Sequence, residues 1–353
     1  MVMFKPNYTI SDQIVSQLSE IAEVKSLVEH SQLLPAREAF LRRAAAIKMA
    51  HTSTSIEGNQ LREDQVEQLA KGKKIRAQAD QITEVRNYLK ALRKIDDLTD
   101  EKHFSVEKIL EIHKTVVNGL VEKGKDGVFR KGPVYIVNVP LTGNEELAYT
   151  PPASEQVPGL VEDLVGWLKN NQNIHPVIRA GLFHYQFETI HPFTDGNGRT
   201  GRLLSLLHLY QSGWDFKKVL VLEDYYNRNR KKYYLALQTG KTYRARQGVD
   251  LSPWLRYFVE GFQQEVYQVK EQILNLSSVS GSVHSRKVLN NDELKIVDFV
   301  VTIGRITSSD VVDILRVPKR TAQAKLKRLE EINVLQKLGA GPATYYSISR
   351  VTI

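Results

Sequence analysis

The sequence has no cysteine, so disulfide bonds and thiolate metal sites are excluded. It also lacks an apolar run long enough to cross a bilayer, and residues 1–7 show no apolar segment typical of a signal peptide. Because a reducing compartment has no use for disulfides, these absences predict a cytoplasmic protein without membrane contact.

The composition is that of a folded globular protein, with 42% hydrophobic and 25% charged residues. The 353 residues suffice for two or three domains. The formal net charge of +9 favours anionic partners such as nucleotides or nucleic acid. Residues 286–353 hold 12 Lys and Arg against 7 Asp and Glu, so much of the excess lies at the C-terminal end, although a solvated basic face without a partner explains it equally well.

The stretch Phe187–Arg202 combines a base, an acid, a flexible loop and two guanidiniums. Gly196 and Gly198 come just before an apolar run that reads as a helix, so the loop amides can converge where the helix dipole is positive. Arg199 and Arg202 are three apart on that helix and can hold phosphate oxygens from one face. His191 can take a proton near neutral pH. The stretch therefore predicts a phosphate site with a general base.

This stretch has two other interpretations. A polar loop at a helix start, with two solvated arginines, requires no ligand. Gly196-x-Gly198-x-x-Gly201 also spells a dinucleotide fingerprint, with Glu223 as a downstream acid. That fingerprint needs a buried strand before its first glycine, whereas residues 184–190 have helical spacing and run into Pro192.

Residues His191–Arg202 resemble the Fic motif, His-Pro-Phe-x-Asp/Glu-Gly-Asn-Gly-Arg-x-x-Arg, with no defining position missing. Fic proteins are mostly helical and move AMP from ATP to a protein hydroxyl. The resemblance implies that His191 deprotonates a Ser, Thr or Tyr hydroxyl and that Asp195 holds Mg²⁺ against the phosphates. The ATP-binding residues that it implies are Asp195, Gly196, Asn197, Gly198, Arg199, Gly201, Arg202, Tyr226 and Asn229, with Glu57 at the edge of the site.

The segment 51–59 has two interpretations. As plain structure it is a short helix with Thr54 and Glu57 in capping-box spacing and Gly58 as its stop. Ser53-x-x-x-Glu57-Gly58 also resembles the inhibitory Ser/Thr-x-x-x-Glu-Gly/Asn signature of many Fic proteins. The resemblance implies that Glu57 pairs with Arg202 and blocks the place of the ATP γ-phosphate.

A hairpin is predicted between the helical segments, with strands at 134–139 and 147–150 around a turn at 142–146. In Fic proteins a hairpin at this point, the flap, pairs with the extended target segment. The candidate docking residues are Val134, Tyr135 and Ile136. A hairpin that merely covers the core is the alternative.

Two further sets of side chains fit either a ligand site or the protein core. Fic proteins place the adenosine near residues 225–234, where Tyr226 and Asn229 could contact the ring face and edge. Tyrosines at helical spacing are also common in protein cores. His184 lies seven residues before His191 without a third ligand at metal spacing, which favours a packed core residue over a metal pair.

The C-terminal segment reads as three helices, 292–301, 308–315 and 319–333, followed by a hairpin, with a basic third helix. This order resembles winged helix-turn-helix modules. Thr321, Gln323 and Lys325 could face a DNA major groove. Winged helices also serve as protein-docking or dimer modules, so a homodimer is an alternative.

Helical periodicity predicts the remaining helices at 10–34, 37–49, 60–71, 77–98, 105–121, 154–170, 176–190 and 252–276. We therefore expect a mainly α protein, with an N-terminal helical region carrying the inhibitory helix, a Fic catalytic domain with its flap, a flexible linker and a winged-helix domain. Their expected limits are 1–100, 101–276, 277–285 and 286–353.

The resemblance implies a protein adenylyltransferase that is restrained by Glu57 and can modify a protein target or itself. The alternative is a DNA-binding transcriptional regulator whose Fic domain only senses nucleotide. A sensor has no need of His191, so the complete motif favours the enzyme.

Overall fold

The computed structural model describes residues 4–31, 33, 35–101, 104–138, 146–281, 289–339, 341 and 344–349. Within these ranges the chain is mainly α-helical, as predicted. The chain divides into two compact units, Met1–His30 with Arg42–Lys270, and Ser31–Leu41 with Glu271–Ile353. None of the helices in the described ranges has the length and apolar character needed to span a bilayer.

The helices up to residue 281 follow the predicted order. They are α1 (Asp12–His30), α2 (Pro35–Ile56), α3 (Glu63–Ala70), α4 (Ala79–Leu98), α5 (Val106–Val116), α6 (Val157–Asn170), α7 (Pro176–Ile190), α8 (Asn197–Gln211), α9 (Leu222–Arg228), α10 (Arg230–Leu237), α11 (Tyr243–Arg246) and α12 (Ser252–Gly281). The prediction of α7 is confirmed at both ends. The prediction for α5 ran too far, since the helix ends at Val116 and the chain then turns through Gly119, whose φ is 73°.

The first unit is built around α7 and α8. Both helices are buried on nearly all sides, because apolar and aromatic residues occur on every face of each. A β-carbon at Gly181 of α7 would come within 2.9 Å of the Phe258 ring, so glycine there allows α12 to pack closely. This rigid centre holds both ends of the predicted motif, since α7 precedes it and α8 begins within it.

The helix α2 corrects the prediction for residues 37–59. Instead of one helix to about Met49 and a second short one, a single helix continues to Ile56. The Thr54 hydroxyl donates to the Ala50 carbonyl at 2.7 Å, so it satisfies its own helix and does not cap a new one. Gly58 ends the helix as predicted, with φ 101°.

The predicted hairpin is present as strands β1 (Ile136–Asn138) and β2 (Glu146–Tyr149), paired antiparallel. The register is Ile136 with Tyr149 and Val137 with Leu147, with an irregularity between Ile136 and Val137. The predicted turn at 142–146 lies outside the described residues except for its last position.

The predicted linker at 277–285 is wrong in its first half, because α12 continues without a break to Gly281. The small polar residues of this segment have low intrinsic helix propensity. The preceding part of α12 is already helical, however, so the helix can extend through them without a new nucleation step. The rest of that segment lies outside the described residues. The limits of the two units also differ from the expected domains, since residues 1–30 and 42–100 belong with the Fic part and residues 31–41 with the C-terminal part.

The second unit has the predicted order of three helices and an antiparallel hairpin. These are α13 (Asn291–Ile303), α14 (Ser308–Leu315), α15 (Lys319–Glu331), β3 (Leu335–Leu338) and β4 (Tyr345–Ile348). Its buried core is Ile296, Val297, Val300, Ile306, Val311, Ala322, Leu326, Leu329 and Leu335. Asn290 and Thr307 cap α13 and α14 through capping boxes, which fixes where both helices begin.

Candidate active site

His191 lies immediately after the last turn of α7, with φ 50° and ψ 63° in the left-handed region. This conformation is uncommon for a residue other than glycine, so it needs support from its surroundings. Arg130 provides it, because its Nε donates to the His191 carbonyl at 2.9 Å and its Nη2 to the Pro152 carbonyl at 2.6 Å. The Arg130 amide also donates to the Pro192 carbonyl at 3.0 Å. Arg130 thus ties the histidine turn to the end of the hairpin.

The environment of His191 suits a base. Its side chain is 20% exposed. Burial lowers the pKa of His191 to about 4, although the Glu188 main-chain carbonyl and the Glu57 carboxylate act in the opposite direction. The imidazole is therefore neutral at neutral pH and has a free lone pair that can accept a proton.

The loop between His191 and α8 is held in one shape by side-chain contacts to its own backbone. Asn197 is 3% exposed, and its Oδ1 and Nδ2 bind the Phe193 amide and carbonyl, both at 2.9 Å. Gly196 has φ 78°, and a β-carbon there would come within 2.5 Å of Val117. The Asn197 side chain therefore shapes the loop. Of this residue, only the main-chain amide remains to bind an anion at the start of α8.

His113 from α5 is a further support of this loop. Its Nδ1 accepts a hydrogen bond from the Gly127 amide and its Nε2 lies 3.0 Å from the Asp195 carbonyl, so Nε2 carries the proton and donates. The ring stacks on Phe193 at 3.6 Å. Burial lowers the pKa of His113 to about 4, which keeps this arrangement neutral. An isolated histidine in a helix gave no sequence signal for this role.

Arg202 is 4% exposed and is bound entirely by the end of α2. Its Nε donates to Ser53 Oγ at 2.8 Å, and its Nη2 donates to the Ser53 carbonyl at 2.9 Å and to Glu57 Oε1 at 2.7 Å. A β-carbon at Gly198 would overlap the same Glu57 oxygen. The Glu57 carboxylate therefore lies against both the start of α8 and the guanidinium, as an anion would. This is the contact that the sequence resemblance implied.

Arg199 has a different partner, which the sequence did not indicate. Its Nη1 lies 2.8 Å from Glu84 Oε1 of α4, and its Nη2 lies 3.0 Å from Asp195 Oδ1. Glu84 Oε2 also accepts from Asn59 Nδ2 at 2.7 Å, just beyond the end of α2. Burial raises the pKa of Glu84, while the Arg199 charge opposes the shift. One glutamate thus connects the motif arginine to the segment that carries Glu57.

These residues border a cleft of about 350 Å³. Its lining is Glu57, Gly58, Asn59, Asp80, Gln81, Glu84, Leu120, Asp195 and Arg199. The volume is within the range of small-molecule sites. The Asp195 side chain is 52% exposed and is the motif carboxylate that remains open to solvent.

The structure does not support the predicted adenosine contact of Tyr226. The residue is 2% exposed, and its ring stacks on Tyr233 with centroids 4.5 Å apart, so neither face is open to a base. Helical spacing placed the tyrosines on the inner side of α9 and α10, which was the alternative interpretation. Asn229 is exposed, but its Oδ1 accepts from the Lys232 amide at 2.9 Å and caps α10.

His184 is a core residue, as predicted. It is 1% exposed, with Nδ1 3.2 Å from Ser205 Oγ and Nε2 2.8 Å from the Tyr233 hydroxyl. Both nitrogens are satisfied, so the histidine has no nitrogen free for a metal. Among the described residues there is no group of three or more His, Cys, Asp or Glu arranged to hold a metal ion.

The hairpin of β1 and β2, in the first unit, has exposed apolar side chains. Tyr135 is 60% exposed, Val137 40% and Leu147 53%, whereas Val134 and Ile136 are half-buried. Of the three predicted docking residues, Tyr135 is therefore the one most open to a partner. Exposed apolar groups that cluster on a short hairpin are typical of a docking surface.

Comparison with known proteins adds to this geometry. Residues 103–209 match the Fic/DOC family. The chain is 31% identical over 251 residues to protein adenylyltransferase fic-1 of Caenorhabditis elegans, which covers 68% of this chain and 44% of that protein. A probable protein adenylyltransferase of Aquifex aeolicus is 33% identical over 162 residues, 44% of each chain. The chain thus spans less than half the length of these curated relatives.

The fold has a similar counterpart along its whole length. A Fic family protein from Desulfovibrio desulfuricans superposes with a TM-score of 0.66 and 26% identity, covering 99% of this chain and 100% of that one. Fic-1 of C. elegans, residues 134–508, superposes with a TM-score of 0.61 and 26% identity over 76% of this chain and 74% of that one. The intact motif, the family match and these structures agree: the chain carries a Fic domain and belongs to the Fic/DOC family.

Proposed function

We propose that the protein is a protein adenylyltransferase, which moves AMP from ATP to a Ser, Thr or Tyr hydroxyl of a protein. The observation that carries this proposal is a neutral, half-buried imidazole at the end of α7, next to a rigid loop and two buried arginines at the start of α8. Similar proteins are named protein adenylyltransferases, which supports the same reaction.

In this reaction the triphosphate lies along residues 195–202. The amides at the start of α8 and the guanidiniums of Arg199 and Arg202 neutralise its charge. His191 accepts the proton of the target hydroxyl, and the oxygen attacks the α-phosphorus in line. The bond to the bridging oxygen breaks and pyrophosphate leaves. Catalysis comes mainly from positioning and charge neutralisation, because the rigid loop needs little reorganisation.

The residues present also fit Mg²⁺. Asp195 offers one carboxylate at the cleft, and Mg²⁺ usually takes one or two protein carboxylates and completes its shell with phosphate oxygens and water. When bound, the ion would neutralise charge on the phosphates. Asp195 now contacts Arg199, so this chain would have to exchange that ion pair for the metal.

Glu57 would act as the regulatory element of the same site. It occupies Arg202 and lies against Gly198, where terminal phosphate oxygens of ATP would have to bind. In this state the nucleotide and the glutamate compete for one guanidinium. We therefore propose that the structure represents an inhibited state and that displacement of Glu57 permits productive ATP binding.

The protein target would dock on the hairpin. A free strand edge accepts an extended peptide by main-chain hydrogen bonds, and the exposed Tyr135 and Leu147 supply apolar contact. A tyrosine or serine of a second copy can serve as the target, so self-modification belongs to the proposal. We place the reaction in the cytoplasm, because a cysteine-free chain suits a reducing compartment.

ATP with a radioactive phosphate at either the α or the γ position tests this reaction. With the Glu57→Gly protein and Mg²⁺, the α-labelled nucleotide should leave covalent label on protein, whereas the γ-labelled one should leave none, because the γ-phosphate departs with pyrophosphate. Label from the γ position would indicate a kinase, and no label from either would favour the nucleotide sensor.

For the second unit we propose contact with DNA through α15. Lys319, Arg320 and Lys327 are exposed on this helix, as are Thr321 and Gln323 near its start. Lys325 instead pairs with Asp292 at 3.1 Å, so it is less free than the sequence suggested. Exposed cations beside short polar side chains on one helix suit phosphates and base edges. The same helix could serve a dimer contact, which makes self-association the competing outcome.

Duplex DNA binding by fluorescence anisotropy at several salt concentrations tests this contact. Lys319→Ala should weaken binding and reduce the slope of log affinity against log salt by about 0.9, as expected for one lost phosphate contact. Lys295→Ala, which removes an exposed lysine from α13, is the matched control and should change neither. Equal effects of the two variants, or a dimer without DNA binding, would contradict the proposal.

A further inference from the structure

Glu188 lies in the last turn of α7, three residues before His191, and its carboxyl group is buried beside the imidazole. The distance from Glu188 Oε2 to His191 Nδ1 is 4.0 Å, and the glutamate side chain is 11% exposed. The left-handed turn at His191 brings the ring back alongside α7. The distance is about 1 Å longer than a hydrogen bond, so a small side-chain rotation would close it.

Among the described residues each group has one buried polar atom without a hydrogen bond, although the Glu188 main-chain carbonyl lies close enough to the imidazole to raise its pKa. These two atoms are His191 Nδ1 and Glu188 Oε1. Leaving a buried polar atom unpaired costs roughly 1–3 kcal/mol, so two such atoms side by side need an explanation. His184, on the same helix, differs in that both of its ring nitrogens are hydrogen-bonded.

The fold makes room for this carboxyl group. A β-carbon at Gly201 of α8 would come within 2.5 Å of Glu188 Oε1 and within 2.9 Å of the Phe187 ring. Any side chain at Gly201 would therefore displace Glu188. Gly201 was predicted to bind ATP, but in this structure the absence of a side chain at that position makes room for the Glu188 carboxyl group.

Charged and titratable groups reach the pair from each element packed against it. They are Arg202 of α8, Glu57 just after α2, Arg246 of α11, Tyr233 and Tyr234 of α10, and Arg130 before the hairpin. Burial raises the pKa of Glu188 to about 8, with Glu57 acting in the same direction and Arg202 and Arg246 against it. The carboxyl group is therefore mostly protonated at neutral pH and ionises as the pH rises through about 8.

We propose that Glu188 is a positioning residue for His191, which accepts a hydrogen bond from Nδ1–H and so leaves Nε2 free to take the proton of the target hydroxyl. The inference rests on the proposed adenylyl transfer. When Nε2 gains the proton, the hydroxyl oxygen bonds to the α-phosphorus, pyrophosphate leaves, and the ionised carboxylate offsets the imidazolium charge. The pairing assigns one tautomer to His191, as a buried carboxylate does for other catalytic histidines.

The test uses the full chain with Glu57→Gly to reveal activity, and adds Glu188→Gln or Glu188→Asp. Glu188→Gln keeps an acceptor but no charge, so we expect kcat to fall roughly 10- to 100-fold with an unchanged KM for ATP, less than the loss of the base itself. Glu188→Asp should recover part of the rate. In the Glu57→Gly protein the rate should rise with pH until Glu188 is ionised. This should happen below about pH 8, because Glu57 no longer raises the pKa of Glu188. The rise should be absent when Glu188→Gln is added.

Two controls separate this role from a structural one. Glu265→Gln changes another buried glutamate, whose pKa burial raises to about 7 and whose partner is Arg228, and it should leave the pH profile unchanged. Above pH 8, where Glu188 is ionised, the ¹⁵N shifts of His191 report the tautomer without any activity, and Glu188→Ala should there convert Nδ1–H to the Nε2–H form. An unchanged tautomer together with superimposable pH profiles would overturn the proposal. Absence of AMP transfer in all variants would instead refute the adenylyl transfer, while the tautomer would still decide the pairing.

Discussion

Glu57→Gly is expected to raise the rate of AMP transfer by up to about 100-fold. The Glu57 carboxylate contacts Arg202 at 2.7 Å, and two unit charges near 4 Å attract by about 4 kcal/mol at an intermediate dielectric. If the inhibited state is favoured by a net of about 3 kcal/mol, about 1% of molecules can bind ATP productively. Removing the carboxylate makes nearly all of them competent. Initial rates of AMP incorporation at a low, fixed ATP concentration measure the increase.

Two milder variants show which part of the contact matters. Glu57→Gln keeps the length of the side chain but removes its charge, so it should give an intermediate rise without loosening the end of α2. Ser53→Ala removes the hydrogen bond from Arg202 Nε, at 2.8 Å, but keeps the bond to the Ser53 carbonyl, and should give a smaller rise still. Equal turnover in Glu57→Gly and the parent would remove this glutamate from the account.

His191→Ala should lower the rate of AMP transfer by about 10²- to 10⁴-fold, as expected for loss of a general base. ATP binding should stay the same, since no phosphate contact is proposed for the imidazole. The experiment is best made in the Glu57→Gly protein, with label transfer for the rate and calorimetry for ATP affinity. His30→Ala, which changes an exposed histidine of α1, should affect neither quantity.

The pH dependence provides a second readout for the same residue. Because burial lowers the pKa of His191 to about 4, protonation of the imidazole should add a second fall in rate only as the pH approaches that value, below the change assigned to Glu188. Undiminished label transfer by His191→Ala would show that another group accepts the proton.

Sequence periodicity predicted the elements that hold the motif because local residues determine them. The apolar and aromatic run of residues 176–190 specifies α7, and Pro176 and the Ile190-His191-Pro192 break set its ends. The motif also identified Arg202 and Glu57, 145 positions apart, but only through the resemblance to Fic proteins. No local pattern carries that pairing.

The supporting residues show what sequence could not reveal. Arg130 and His113 are single polar residues whose partners lie 61 and 82 positions away, so their roles depend on the tertiary fold. Glu84 is one of several charged residues on α4, and only its contact with Arg199 distinguishes it. Helical spacing of tyrosines fits both a ligand site and a core, and the burial of Tyr226 favours the core interpretation that the sequence left open.

A crystal structure of the Glu57→Gly protein with ATP and Mg²⁺ would show directly whether ATP binds where His191 can act on it. The phosphates should lie against the amides at the start of α8 and the freed Arg202, with the α-phosphorus beside His191 Nε2 and open to attack in line. Nucleotide bound elsewhere, or an α-phosphorus that faces away from the imidazole, would contradict adenylyl transfer at this site.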